Sequence, residues 1–342
     1  RDLHASLAPS EMCIRDSDSY YEYLVKEHQL LGGVLPQYER MFTEAMDSAE
    51  QHLWKNVTVV PHAPSLSVVV SAMGHGRSQV SLEHLACFSG GMMALGSRIV
   101  PDRRHYLNIA RMTTETCYWG YNSSLTGLGA EAPEFYHPQD KDMYRVVTEA
   151  DGTRHRGPPV GDPFVGVRYI WHEDYRNRPE VIESVLYMWR TTGDPVWQER
   201  GWQMFASWMT HCLTRSGTST IYDVNAVPVR HSDSMESFVL AETFKYYYLL
   251  FSPPDLVSLD DFVFSTEAHP FLLPRAGRWA RAGDVPASFP RVDRRFPAIL
   301  RPRGQGTPMQ RGLWEAQRQA SGKTARLLEV LWAEVNDTGA VV

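Results

Sequence analysis

Residues 177–189, NRPEVIESVLYMW, place Val181, Ile182, Val185, Leu186 and Trp189 at helical spacing, with Glu180 and Glu183 beside or inside that apolar stripe. Pro179 suits the first turn, where its missing N–H costs nothing. Glu180 and Glu183 are three residues apart and so share a face. A carboxylate turned into an interior is costly unless something satisfies it. The chain must therefore fold around a partner for these acids, and no other feature restricts the fold as much.

The same helical spacing recurs over 18–31, 35–56, 84–99, 104–122, 195–214 and 235–251, so residues 18–270 are expected to be mostly helix. Short Gly/Pro/Asp joints such as TTGDP (191–195) connect neighbours as in helical hairpins. There is no strict solenoid repeat. Residues 56–73 and 143–156 read as strand pieces, the second around an Asp-Gly hairpin turn. Residues 1–17 lack helical period and are read as a non-native or disordered leader. Residues 272–342 are read as a basic Pro/Arg-rich arm. Within it 274–311 carry nine Arg and two acids, and a short amphipathic helix falls around 313–335.

Further acids fall on apolar faces. Glu242 lies four residues after Phe238 in MESFVLAETFKYYYLLF, and FSTEAHP sets Thr266 and Glu267 in an apolar turn. Asp18 stands where a helix N-cap is expected. Each acid alone has an ordinary explanation, as a cap or as a complement to a helix dipole. Several converging from separate helices need a counter-charge, and an oxygen-seeking cation such as Ca²⁺ supplies one. Two carboxylates across a cavity also suit glycosidic bond hydrolysis, one donating a proton and the other activating water.

Charge and cysteine content narrow the function. The net charge of −6 combines a basic C-terminal arm with an acidic body, which argues against nucleic-acid binding. No run approaches the roughly 18 apolar residues of a membrane span, so a membrane link is expected only through an anchor N-terminal to the chain. Cys13, Cys87, Cys117 and Cys212 form no CxxC pattern, and read by themselves they are buried thiols. Asn-x-Ser/Thr triplets at Asn56, Asn122 and Asn336 tilt the compartment toward the secretory pathway.

DSYYEYLVK, HLACFSGG, TGLGAE, RNRPEVIESVLYMWRTTGD, DSMESFVLAETFKYYYLLFS and FSTEAHPF resemble, in order and spacing, motifs of the class I α-1,2-mannosidases, glycoside hydrolase family 47. The fungal and endoplasmic-reticulum types are the most similar, and the resemblance covers residues 18–271. It implies an all-α fold, an (α/α)7 barrel of helical hairpins that is incomplete here, with minor β-hairpin pieces. It implies that the chain is roughly the C-terminal two-thirds of a catalytic domain, because the first hairpins and one catalytic Glu have no counterpart in residues 1–17. Ala130 stands where the family motif has Pro.

Site roles follow from the resemblance residue by residue. Thr266 would bind Ca²⁺ through its hydroxyl and carbonyl. Glu183, Glu242 and Glu267 would hold the surrounding waters and sugar hydroxyls. Glu180 would be the base activating the attacking water, and Asp18 the acid-side residue implicated in proton delivery. Arg178 would orient carboxylates and substrate, Phe238 would stack under the mannose ring, and His84 matches a substrate-cavity histidine. Cys87 and Cys117 match the family disulfide, leaving Cys212 free.

The implied function is inverting, Ca²⁺-dependent removal of terminal α-1,2-linked mannose from high-mannose N-glycans in the endoplasmic reticulum or Golgi lumen. The complete protein would be a monomer, and this chain alone inactive. The alternative is a mannosidase-like glycan-binding factor in glycoprotein quality control and degradation, non-catalytic or weakly so.

Overall fold

The computed structural model describes residues 14–57, 66–73, 77–79, 81–135, 146–148, 154–156 and 167–274. Among them are seven α-helices: α1 (Ile14–Leu30), α2 (Pro36–His52), α3 (His84–Ile99), α4 (Tyr106–Asn122), α5 (Glu180–Thr192), α6 (Val196–Cys212) and α7 (Lys245–Phe251). A π-helical turn, Val239–Phe244, leads into α7. None of the described helices is long and apolar enough to cross a membrane.

The helices form two layers. α1, α3, α5 and α7 pack in sequence along an inner row, while α2, α4 and α6 each lean on the helix before them. This is the layout of an α/α barrel. Burial follows the layering: every residue of α5 from Glu180 to Thr191 is buried, whereas α2 buries only Phe42, Met46 and Ala49. The inner helices approach closely because of small residues. A Cβ on Gly91 would meet Cα of Ser184 at 3.3 Å. Ser184 instead donates to the Cys87 carbonyl at 2.7 Å and accepts from the Gly91 N–H at 2.9 Å. Gly193 closes α5 in the left-handed conformation (φ 69°), its N–H returning to the Trp189 carbonyl. A disulfide between Cys87 and Cys117 links α3 to α4, with Cα atoms 6.0 Å apart, and Cys212 is a free buried thiol.

Short antiparallel pairs fill the connections. β1 (Trp54–Val57) pairs with β2 (Leu66–Val69), and β3 (Ser71–Met73) with β4 (Arg77–Gln79). β5 (Pro133–Phe135) pairs with β8 (Val167–Ile170), β6 (Val146–Thr148) with β7 (Arg154–Arg156), and β9 (Phe262–Phe264) with β10 (Pro270–Leu272).

Three boundaries differ most from the sequence reading, one being the helix expected over 235–251, which opens only at Val239 and as a π-helical turn. The helix expected to run to residue 56 stops at His52, because Trp54–Val57 pairs residue for residue with Leu66–Val69. The helix expected to start with Asp18 as its N-cap begins at Ile14, so Asp18 lies inside α1 with its backbone already helical. The Asp-Gly turn at 151–152 and everything from residue 275 onward, including the expected helix at 313–335, lie outside the described residues.

Candidate active site

The start of α5 is set by Asn177. It is fully buried at φ 61°, a left-handed conformation that Asn tolerates better than most side chains. Its Oδ1 accepts from Trp208 Nε1 at 2.6 Å, and its carbonyl accepts from the Thr243 hydroxyl at 2.7 Å. Those two bonds pin the residue between α6 and the π-helical turn, and so aim the next residue, Arg178.

Arg178 Nε donates to Glu131 Oε2 at 2.9 Å, and its guanidinium lies 5.7 Å from the Phe238 ring centroid. Glu180 begins α5 and is only 8% exposed. Its Oε2 has no hydrogen-bond partner among the described residues. Burial pushes its pKa up to about 7, against the pull of Arg178. A buried carboxyl with one idle oxygen and a pKa near neutrality is suited to accept a proton from water.

One turn further on, Glu183 meets a group that the sequence reading missed. Lys26 of α1 is buried, forms an ion pair with Glu22 one turn before it, and lies 3.9 Å from Glu183 Oε1. Burial disfavours its charge, but Tyr187, Glu22 and Glu183 outweigh that penalty and raise its pKa. The ammonium also sits 4.7 Å from the centre of the Phe88 ring. Tyr246 of α7 donates to Glu183 at 2.7 Å. Since Lys26 is closest to Glu22, Glu183 remains pushed well above the ordinary carboxylate range, chiefly by burial.

Glu242 faces the same interior from the π-helical turn. Its pKa rises to about 7 through burial, then through repulsion from Glu267 and Glu22. Thr266 and Glu267 form the tip of the β9–β10 hairpin. The Thr266 N–H donates to the Tyr23 hydroxyl at 3.1 Å, and Lys245 donates to the Ala268 carbonyl at 2.8 Å. The hairpin is thereby tied to α1 on one side and α7 on the other. Glu267 itself is exposed rather than turned inward, and it acts on Glu242 through charge.

His84 is buried at the start of α3, its Nε2 3.1 Å from the Ala130 carbonyl and its Nδ1 3.4 Å from the Tyr121 hydroxyl. Burial lowers its pKa, so the ring is neutral near pH 7 and secures the 129–130 loop. The structure thus brings together Arg178, Glu180, Glu183, Phe238 and Glu242 around α5, sets Thr266 and Glu267 on a hairpin tied to α1 and α7, and adds Glu22, Lys26, Glu131, Asn177 and Tyr246. Asp18 shares α1 with Lys26, but its side chain lies outside the described positions.

A separate group, Asp47, Glu50 and His105, offers three possible metal-ligand atoms within 4.8 Å of one another. It belongs to α2 and the approach to α4, and Asp47 is already engaged by Arg103 at 2.8 Å and by Tyr106 at 2.5 Å.

Known proteins resemble this chain in sequence and fold. A human mannosyl-oligosaccharide 1,2-alpha-mannosidase IC is 37% identical over 255 residues, 74% of this chain and 36% of that protein. The human endoplasmic reticulum mannosyl-oligosaccharide 1,2-alpha-mannosidase is 35% identical over 258 residues, 74% of this chain and 33% of that protein. An alpha-1,2-mannosidase from Trichoderma reesei superimposes with a TM-score of 0.63 at 30% identity, covering 75% of this chain and 51% of that one. The chain therefore spans about a third to a half of the length of these relatives. The model of glycosyl hydrolase family 47 matches residues 12–273, and the chain belongs to that family.

Proposed function

We propose that the site around α5 removes terminal α-1,2-linked mannose from high-mannose N-glycans, with inversion and with Ca²⁺ bound. The observation that carries this reading is Glu180: buried, with one idle oxygen, a pKa near 7, and Arg178 held beside it by Glu131. Relatives named as mannosyl-oligosaccharide 1,2-alpha-mannosidases supply the substrate class.

The residues present fit a divalent cation. Repulsion from Glu22 and Glu242 adds to burial in holding Glu183 above the ordinary carboxylate range, and repulsion from Glu267 and Glu22 does the same for Glu242, so a bound cation would relieve both. The donors are all oxygen, as a hard cation requires. Thr266 would hold Ca²⁺ through its hydroxyl and carbonyl, with Glu183, Glu242 and Glu267 holding its waters. When bound, the cation supplies fixed positive charge against which sugar hydroxyls are oriented.

The protein side chains would then divide the work. Phe238, braced by the Arg178 guanidinium, offers its ring to the apolar face of a mannose. Glu180 takes a proton from the water that attacks the anomeric carbon. Asp18 serves proton delivery on the other side of the cavity. The setting is the lumen of the endoplasmic reticulum or Golgi, where a Cys87–Cys117 bridge persists.

The chain by itself is proposed to be a poor catalyst. Leu240, Phe244 and Tyr248 line one face of the helix that carries Phe238 and Glu242, and all three are exposed. A helix with a bare apolar face holds its site residues loosely. Mannose release by purified 1–342 at about 1 s⁻¹ or faster would contradict this.

The test of the function is mannose release from an α-1,2-linked oligomannose, with Ca²⁺ and with a chelator. Calcium-dependent release is expected from a chain extended on its N-terminal side, with little or none from this chain alone. Glycan binding without release in both would favour the quality-control alternative. Neither binding nor release would end the reading.

A further inference from the structure

Trp171, Tyr222 and Arg176 line a cavity of about 710 Å³, within the roughly 300–1,000 Å³ of small-molecule sites. Trp171 follows β8. Its main-chain N–H donates to the Ala132 carbonyl at 3.0 Å and its indole N–H to Glu134 Oε2 at 2.8 Å. The ring is therefore fixed on the β5–β8 pair, although 57% of the residue is exposed. Tyr222 is 48% exposed, and the Arg230 guanidinium braces its ring at 4.1 Å. Thr220, another wall residue, is only 7% exposed, and its hydroxyl has no hydrogen-bond partner among the described residues.

A chain of hydrogen bonds links the wall of this cavity to the candidate active site. Arg176 Nε donates to Asp174 at 2.6 Å, and the Arg176 main-chain N–H donates to Glu131 Oε1 at 3.2 Å. Glu131 Oε2 accepts from Arg178 at 2.9 Å. One carboxylate thus joins the cavity wall to the residue beside Glu180.

The chemistry of the wall selects the occupant. Fixed, exposed aromatic faces suit the apolar C–H face of a pyranose ring. Carboxylates and a guanidinium nearby suit its vicinal hydroxyls, which both donate and accept. Glu173, Asp174 and Glu236 in the wall disfavour phosphate and other anions. The polar share of the wall disfavours a purely apolar ligand.

We propose that this cavity is a carbohydrate subsite that takes a second branch of the glycan whose terminal mannose lies at Glu180. The proposal rests on the functional reading above. It predicts that affinity for a branched high-mannose glycan exceeds affinity for α-1,2-mannobiose, which is too short to occupy both places.

The experiment is calorimetric titration of the chain, with calcium, against a branched nine-mannose glycan and against α-1,2-mannobiose. Trp171→Ala and Tyr222→Ala are each expected to weaken the branched glycan about tenfold and to leave mannobiose unchanged, while Trp171→Phe restores most of the loss. Thermal denaturation checks folding, and exposure of both rings favours it. Unchanged affinity for the branched glycan in both alanine variants overturns the subsite and leaves the proposed function standing. Equal weakening of both sugars also overturns it, since the ring would then serve the active site itself. Binding of neither sugar by the unmodified chain overturns both readings.

Discussion

Lys26 Nζ lies 3.9 Å from Glu183 Oε1, and both side chains are buried. Among the described residues of α1, Lys26 is the cation placed against the acids of α5, and it also pairs with Glu22. Lys26→Met would keep the volume of the stem but leave two buried carboxyls without it. The expected loss is about 3–5 kcal/mol, read from urea unfolding of the metal-free chain. A loss below about 1 kcal/mol would mean that these acids are accommodated some other way.

Glu180 gives a pH dependence opposite to that of a salt-bridged carboxylate. Its pKa of about 7 in the folded chain stands above the ordinary 4.5. Between those values the folded chain keeps a proton that the unfolded chain has lost. Stability from this group is complete below pH 4.5 and is lost as pH rises through 7. Arg178, Glu131 and Glu242 are the charged groups acting on it. The loss is at most about 3 kcal/mol, and Glu180→Gln should remove it from melting curves taken between about pH 5 and 8. The same substitution should abolish turnover while largely keeping glycan binding. Retention of more than a tenth of kcat, a barrier change under about 1.4 kcal/mol, would identify the wrong base.

Thr266→Val removes a hydroxyl oxygen from the hairpin tip and nothing from the Tyr23 contact, which uses the Thr266 main-chain N–H. Calcium affinity measured by calorimetry should fall at least tenfold with little change in melting temperature without metal. Equal affinity in the variant would place the cation elsewhere.

The Cys87–Cys117 bridge spans 30 residues. Closing a loop of that size contributes about 3–4 kcal/mol in the chain-entropy model. Peptide mapping of unreduced protein should recover the linked pair, and reduction should lower the melting temperature. Alkylation of either residue without prior reduction would refute the bridge.

Much of this arrangement was legible in the sequence, for identifiable reasons. Glu180, Glu183 and Glu242 stood out because they interrupt apolar helical stripes, and the close agreement for α3 and α5 follows from strong periodicity. Lys26 did not stand out, because a Lys four residues after a Glu on an amphipathic helix reads as a surface pair. Its burial depends on α3 and α5 covering that face. Glu131 and Asn177 sit in loops, where no period marks a side chain's direction. The strand at Trp54 was read as helix because its pairing partner lies across a loop, and such pairing is invisible locally.

The π-helical turn at Val239–Phe244 makes chain length part of the site. Its hydrogen bonds reach five residues rather than four, so the segment carries surplus chain between Phe238 and the helix proper. Deleting the exposed Ala241 would let it relax toward an α-helix. One residue of α-helix corresponds to about 100° of rotation, enough to swing Phe238 off the Arg178 guanidinium. Ala241→Gly keeps the count and should keep glycan affinity, whereas the deletion should lose it even if the protein still folds. Equal binding by the two would show the turn to be incidental. An alignment that opens a gap between Phe238 and Glu242 therefore puts the two residues out of phase, whatever side chains it manages to match.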